Sequence, residues 1–132
     1  MQSVEMQSVA IITLLALAQF IYFSIQVGSM RGKHSIKAPA VTGHEEFDRV
    51  FRVQQNTMEQ LVAFIPALWI YAYLVNPLWG AGMGLVFIIG RFIYRASYLK
   101  DPDSRGLGFT LSFLPTAVML VWSLIRALLS FF

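Results

Sequence analysis

The sequence predicts an all-α integral membrane protein, a single domain over residues 1–132 built as a bundle of four transmembrane helices. Three observations lead there. Of the 132 residues 57% are hydrophobic and only 13% are charged, with a mean hydropathy of +0.62; a soluble domain is about one quarter charged. The apolar residues gather into four runs. The cations are one-sided: of ten Lys and Arg, all but Arg126 fall between the first and second runs or from the end of the third run to Arg105.

The first run, residues 9–27, is uncharged and matches the roughly 20 residues a helix needs to cross about 30 Å of hydrocarbon. The stretch before it, Met1 to Ser8, carries Glu5 and neither Lys nor Arg. A secretory signal needs a positive n-region, so this run is expected to stay as a membrane span. The second apolar run, Leu61 to Val75, is short, and as a helix it extends backwards to give a span over 54–75. The third covers 78–98 and takes in Arg91 and Tyr94, and the fourth covers 107–130. Asn76-Pro77 leaves room only for a tight helical hairpin between the second and third. Pro66 and Pro115 fall inside spans, where neighbouring helices can satisfy the carbonyl a proline frees.

Nine of the ten basic residues lie in loops 28–46 and 99–106 or in the helix ends beside them, so the positive-inside rule puts these loops in the cytoplasm and both termini outside. This sidedness accounts for the formal charge of +3 and the pI near 9.5 without a nucleic-acid partner. The chain has no cysteine, which excludes a disulfide staple or a thiolate metal cluster. His34 and His44 have no partner at ligand spacing, so no metal site is expected. Trp69, Tyr71, Tyr73 and Trp79 cluster near the hairpin as an interfacial aromatic belt. Arg126 stands alone near the outer end of the fourth span and is expected to snorkel.

Helix two is expected to start near Glu45 or Glu46, in the polar stretch before its span. From there Arg49, Arg52, Asn56 and Glu59 recur at spacings of three, four and three, which puts them on one helical face. Helix three carries Arg91, Tyr94, Arg95 and Tyr98 in the same manner. The antiparallel hairpin brings both polar ends into one leaflet. Ionisable groups in a span are costly and face an interior or a wet cavity. Glu59 has two available partners, Arg52 and Arg91, while Arg49 and Arg95 are long enough to reach lipid headgroups. As a set these residues suit an anionic or zwitterionic ligand. No phosphate loop, Ser-His-Asp order or HExxH pattern is present.

The segment FDRVFRVQQNTME at Phe47 to Glu59, followed by LVAFIPALW, resembles the helix-two signature of the MAPEG family, the membrane-associated proteins in eicosanoid and glutathione metabolism. Arg49, Arg52, Asn56, Glu59 and Pro66 match its pattern, with Asp48 for the usual Glu. Arg91, Tyr94 and Tyr98 match the helix-three pattern R-x-x-Y-x-x-x-Y. The resemblance implies a homotrimer with glutathione as co-substrate, bound between subunits at the cytoplasmic side. It also implies microsomal glutathione S-transferase-like chemistry, transferase or peroxidase, on hydrophobic electrophiles or lipid hydroperoxides. By the same resemblance Arg52, Gln54, Asn56, Glu59, Arg91, Tyr94 and Tyr98 hold the tripeptide, and Arg31 reaches it from the neighbouring subunit. Arg105, seven residues beyond Tyr98, would be the catalytic thiolate stabiliser.

The chemistry is consistent. Arginine forks suit two carboxylates, Glu59 suits an ammonium, and a guanidinium lowers a thiol's pKa from about 8.5. Two departures stand out. Gln60 replaces a tyrosine of the leukotriene-forming members, and Asp101 and Asp103 sit close enough in sequence to pair with Arg105. Two other readings compete. One is a non-catalytic membrane protein binding lipid or glutathione, because the family includes a lipoxygenase-activating member without transferase activity. The other is a small multidrug transporter, which would want a membrane Glu in helix one where this chain has Gln19.

Overall fold

A computed structural model describes residues 3–132; Met1 and Gln2, the start of the polar stretch before the first span, lie outside the described residues. Four helices follow in order: α1 (Val4–His34), α2 (Glu45–Leu74), α3 (Pro77–Lys100) and α4 (Gly106–Leu129), with one 3-10 turn at Pro102–Ser104. Each is long and apolar enough to cross a membrane. The chain is thus an all-α membrane protein.

The helix ends follow from local chemistry. Ser3 caps α1 by accepting from the Met6 amide at 3.1 Å, and Ser35, left-handed at φ 55°, closes its far end. The His44 ring caps α2 through Nδ1, while Asp48 reaches back to Thr42 and the Gly43 amide. At the hairpin Asn76 accepts from the Trp79 amide at 3.0 Å and Pro77 opens α3, where its missing N–H costs nothing. Both α2 and α4 continue through their prolines.

Side-chain registers define the bundle. Trp69 Nε1 donates to Thr13 and Gln54 to Ser24, so α1 and α2 run antiparallel. Gln19 Nε2 donates to the Ile88 carbonyl at 2.9 Å, locking α1 to α3. The closest seam is α3 on α4: a methyl placed on Gly90 would lie 2.8 Å from Leu111 Cβ, and one on Gly108 would collide with the backbone of Tyr94. Glycine is required there because two helix backbones nearly touch. The α2–α3 hairpin is therefore central, with α1 on one side of it and α4 on the other.

Inside, Phe64 stacks on Phe87 at 3.9 Å among Val9, Ala16, Leu68 and Met119. The outer faces remain apolar, with Leu14, Val62, Leu114 and Leu124 all exposed. Water would not tolerate so continuous an apolar surface, and lipid does. The aromatic belt is only partly interfacial. Tyr73 and Trp79 are exposed, whereas Tyr71 is buried edge-on against Trp122 at 6.0 Å, because it shares a face with Phe64, Ala67 and Leu68.

Candidate functional site

At the loop end of the bundle, a cleft of about 460 Å³ opens between α2, α3 and α4, lined by Arg52, Asn56, Tyr94, Tyr98, Arg105 and Phe109. Beneath its floor, behind Asn56 and Tyr94, lies Arg91, whose side chain is fully buried. Arg91 Nη2 donates to Asn56 Oδ1 at 2.8 Å and to Thr57 Oγ1 at 2.9 Å, and Nε donates to Thr57 at 3.2 Å. Thr57 passes its own proton to the Val53 carbonyl at 2.8 Å, so it is free to accept from the arginine. The guanidinium carbon lies 4.3 Å from the centre of the Tyr94 ring, and Tyr94 stacks on Tyr98 at 5.5 Å.

All of these partners are neutral. Arg91 is held by an amide, a hydroxyl and an aromatic face, and no carboxylate among the described residues pairs with it. Its Nη1, also buried, has no hydrogen-bond partner among the described residues. A buried cation with an unused donor is expensive unless an anion completes it.

Two further arginines stand above the floor. Arg52 Nη2 is 3.4 Å from Glu59 Oε1, and both side chains are about half exposed. Of the two partners open to Glu59 in sequence, the structure selects Arg52. The two are seven residues apart and so two turns along one face, whereas Arg91 is engaged one layer deeper. Arg105 lies just before the first turn of α4, with Nη1 donating to the Pro102 carbonyl at 2.9 Å. Asp101 and Asp103 do not pair with it: Asp101 accepts from the Asp103 amide and caps the 3-10 turn. The positive end of the α4 dipole adds to the field here. The cleft lining carries two arginines and no carboxylate among the described residues, and Glu59 reaches it through its pair with Arg52.

The other residues singled out from sequence lie elsewhere. Gln54 is two positions from Arg52, about 200° around α2; it donates to Ser24 at 3.3 Å and accepts from Gln55. Arg31, at the end of α1, donates to the Ala40 carbonyl at 2.7 Å and lies 5.0 Å from the Phe47 ring centre. Neither lines the cleft within one chain. Arg49 ties down the last carbonyls of α3, at Leu99 and Lys100, instead of reaching outward. Arg95 turns towards α1 and donates to Gln26. His34 and His44 stack at 3.7 Å, and Lys33 and His34 both hold Glu46. Those hydrogen bonds, Lys33 first, lower the Glu46 pKa from 4.5 to about 2.

Two residues of the site escaped sequence reasoning. Thr57 lies outside the charged spacing that drew attention to its helix. Phe109 was one apolar residue among many, although it lines the cleft and stacks on Phe113 at 5.8 Å. Proximity to Arg105 was the only signal for Phe109.

Comparison with known proteins agrees with this architecture. A sequence model of the MAPEG family matches residues 9–125. The chain is 38% identical over 128 residues to an uncharacterized protein of Synechocystis sp., covering 97% of this chain and 93% of that one. It is 42% identical over 103 residues to human microsomal glutathione S-transferase 2, covering 78% and 70% of the two chains. It is 34% identical over 101 residues to guinea-pig (Cavia porcellus) leukotriene C4 synthase, covering 76% and 67%. With a family match across most of its length and four membrane helices carrying both motifs, the chain belongs to the MAPEG family.

Proposed function

We propose that the protein is a glutathione S-transferase of the MAPEG type, which activates the glutathione thiol for attack on hydrophobic electrophiles and reduces lipid hydroperoxides. The observation that carries the proposal is a cleft lined by Arg52, Arg105 and the Tyr94–Tyr98 pair, with the buried Arg91 beneath it and Glu59 paired to Arg52. Relatives named as glutathione S-transferase support it.

In this reading Arg52 takes a carboxylate of glutathione, the buried Arg91 attracts the anion from beneath by its charge, Glu59 takes the ammonium, and Asn56 and the tyrosines fix the backbone. Arg105 keeps nitrogens free of the Pro102 carbonyl and faces the thiol. It favours the thiolate by direct charge, which raises the nucleophilic fraction at neutral pH. The thiolate then forms the new C–S bond while the electrophile's leaving group departs with its electron pair. With a hydroperoxide, the thiolate attacks the terminal oxygen, the O–O bond breaks and the alkoxide leaves as the alcohol after taking a proton; a second glutathione then condenses with the sulfenic acid to give disulfide and water. The acceptor reaches Phe109 from the lipid.

Arg31 and Gln54 face away from the chain's own cleft, which suits a homotrimer in which they complete the neighbouring subunit's site. By the positive-inside rule, the basic loops support a cytoplasmic position for that site.

Turnover of a chlorodinitrobenzene acceptor and of a lipid hydroperoxide by the detergent-purified protein tests the proposal. Arg105→Ala is expected to lower kcat about a hundredfold with little change in glutathione KM. Calorimetric glutathione binding without any turnover would instead favour the non-catalytic reading. Absence of both binding and turnover would sink the proposal.

A further inference from the structure

A second polar cleft, of about 480 Å³, lies on the α1 side of the hairpin between the last turns of α1 and α3 and the first turn of α2. It shares no lining residue with the cleft on the α4 side. Its charged groups are Glu45, Glu46, Arg49 and Arg95, and three of them are committed. Glu45 pairs with Arg49, Arg49 also holds two backbone carbonyls, and Glu46 lies 2.9 Å from Lys33 Nζ and 2.8 Å from His34 Nε2.

Arg95 is not committed. Its Nε donates to Gln26 Oε1 at 2.7 Å, and its guanidinium lies 5.7 Å from the Tyr22 ring centre and 6.0 Å from that of Phe23. Gln26 is itself held, donating to the Tyr22 hydroxyl at 2.9 Å. Among the described residues no carboxylate lies within 4.0 Å of Arg95, and its two terminal nitrogens make no hydrogen bond. The guanidinium is thus braced on one edge and unused on the other.

Its surroundings are those of an amphiphile's head. Tyr22, Ile25 and Phe92 form an exposed apolar strip along the α1–α3 seam, and Phe92 packs edge-on against Phe23 at 5.9 Å. Arg95 stands five residues before the end of α3, about 7.5 Å along the axis, a position that suits the boundary between headgroups and hydrocarbon. We propose that Arg95, braced by Gln26 and Tyr22, binds the phosphate of a membrane phospholipid whose chains run down this strip. The two free nitrogens match two phosphate oxygens as a fork. Because the side chain is already fixed, little rotamer freedom is lost on binding. Glu45 and Glu46 nearby repel additional negative charge, which favours a singly charged phosphodiester.

Native mass spectrometry of the delipidated full chain, titrated with dioleoylphosphatidylglycerol, tests the site. Saturable retention is expected in the wild type, about tenfold weaker in Arg95→Gln and intermediate in Arg95→Lys, which keeps the charge without the fork. Arg126→Gln, at the opposite end of the bundle, should bind as the wild type does, and dioleoylglycerol, which lacks the phosphate, should not be retained. Equal retention by wild type and Arg95→Gln overturns the proposal, as does equal retention of dioleoylglycerol. Displacement of the lipid by millimolar inorganic phosphate assigns the site to a soluble anion and overturns the lipid assignment. Should Arg95→Gln fail to fold, Gln26→Leu removes the brace alone; weakened retention there supports the proposal and unchanged retention overturns it.

Discussion

The clefts on the two sides of the α2–α3 hairpin lie at the same end of the bundle, and each has an arginine of α3 beside it, Arg91 buried beneath the α4-side cleft and Arg95 lining the α1-side one. Four residues separate the two on one helix, yet their surroundings differ. Arg91 is sealed beneath Asn56, Thr57 and Tyr94, with α4 closing over it where Gly108 admits the backbone of Tyr94. Arg95 is half-buried on a seam that no fourth helix covers, braced by a single amide. Neither arginine has a carboxylate partner among the described residues. Packing alone decides the difference: one guanidinium is shut beneath a cleft, and the other lies open along the α1–α3 seam. The carboxylates of the α1-side cleft are spent on loop and helix ends. Glu59, beside the α4-side cleft, is held only by a long, half-exposed pair with Arg52 and remains available.

The sharpest way to break the comparison is to delete the buried member. Arg91→Ala leaves Asn56 Oδ1 and Thr57 unpartnered and opens a void under Tyr94. It is expected to cost about 3 kcal/mol in detergent unfolding and to abolish glutathione binding. An Arg91→Ala protein with wild-type stability and wild-type binding would mean that the two arginines are equivalent after all.

A milder change tests the charge rather than the shape. Asn56→Asp keeps the contact at 2.8 Å but supplies the missing carboxylate. Glutathione affinity should fall about tenfold by calorimetry while the unfolding temperature holds or rises. Unaltered affinity would show that the uncancelled charge of Arg91 is not what the ligand reads.

The smallest expected effect concerns the α1-side loop junction. Because the Glu46 pKa is lowered from 4.5 to about 2 in the folded protein, its contribution is fully present above pH 4.5 and is lost as pH falls from there towards 2. The unfolding temperature of the wild type should therefore drop slightly more than that of Glu46→Gln across this window. The carboxylate is exposed, so the difference should be small. Parallel curves would remove Glu46 from the junction.

Much of the hairpin was legible in advance. The spacing of Arg52, Asn56 and Glu59, and that of Arg91, Tyr94 and Tyr98, reports a helical face directly, because 3.6 residues per turn is a local property. What spacing does not report is which of several neighbours a long side chain selects. Glu59 went to Arg52 and not to Arg91, and Arg49 went to the carbonyls ending α3 and not to headgroups. Asp101 went to its own turn and not to Arg105. Each outcome depends on depth and on competing partners from another helix. Tyr71 is the same lesson on the apolar side: its neighbours in sequence suggested an interface, and its helical face put it in the core.

By itself the sequence determined four apolar helices, a one-sided set of cations and two polar faces that must meet, since hydropathy, charge and helical period all act over a few residues. The tertiary structure alone decided that Arg91 has no carboxylate partner among the described residues, that Thr57 and Phe109 belong to the candidate site, and that Arg31 and Gln54 turn away from it. It also decided that Arg95 faces a cleft of its own. These follow from how closely the helices approach, above all where Gly90 and Gly108 let α4 settle onto α3, and backbone distance of that kind is a property of the packed bundle rather than of any one segment.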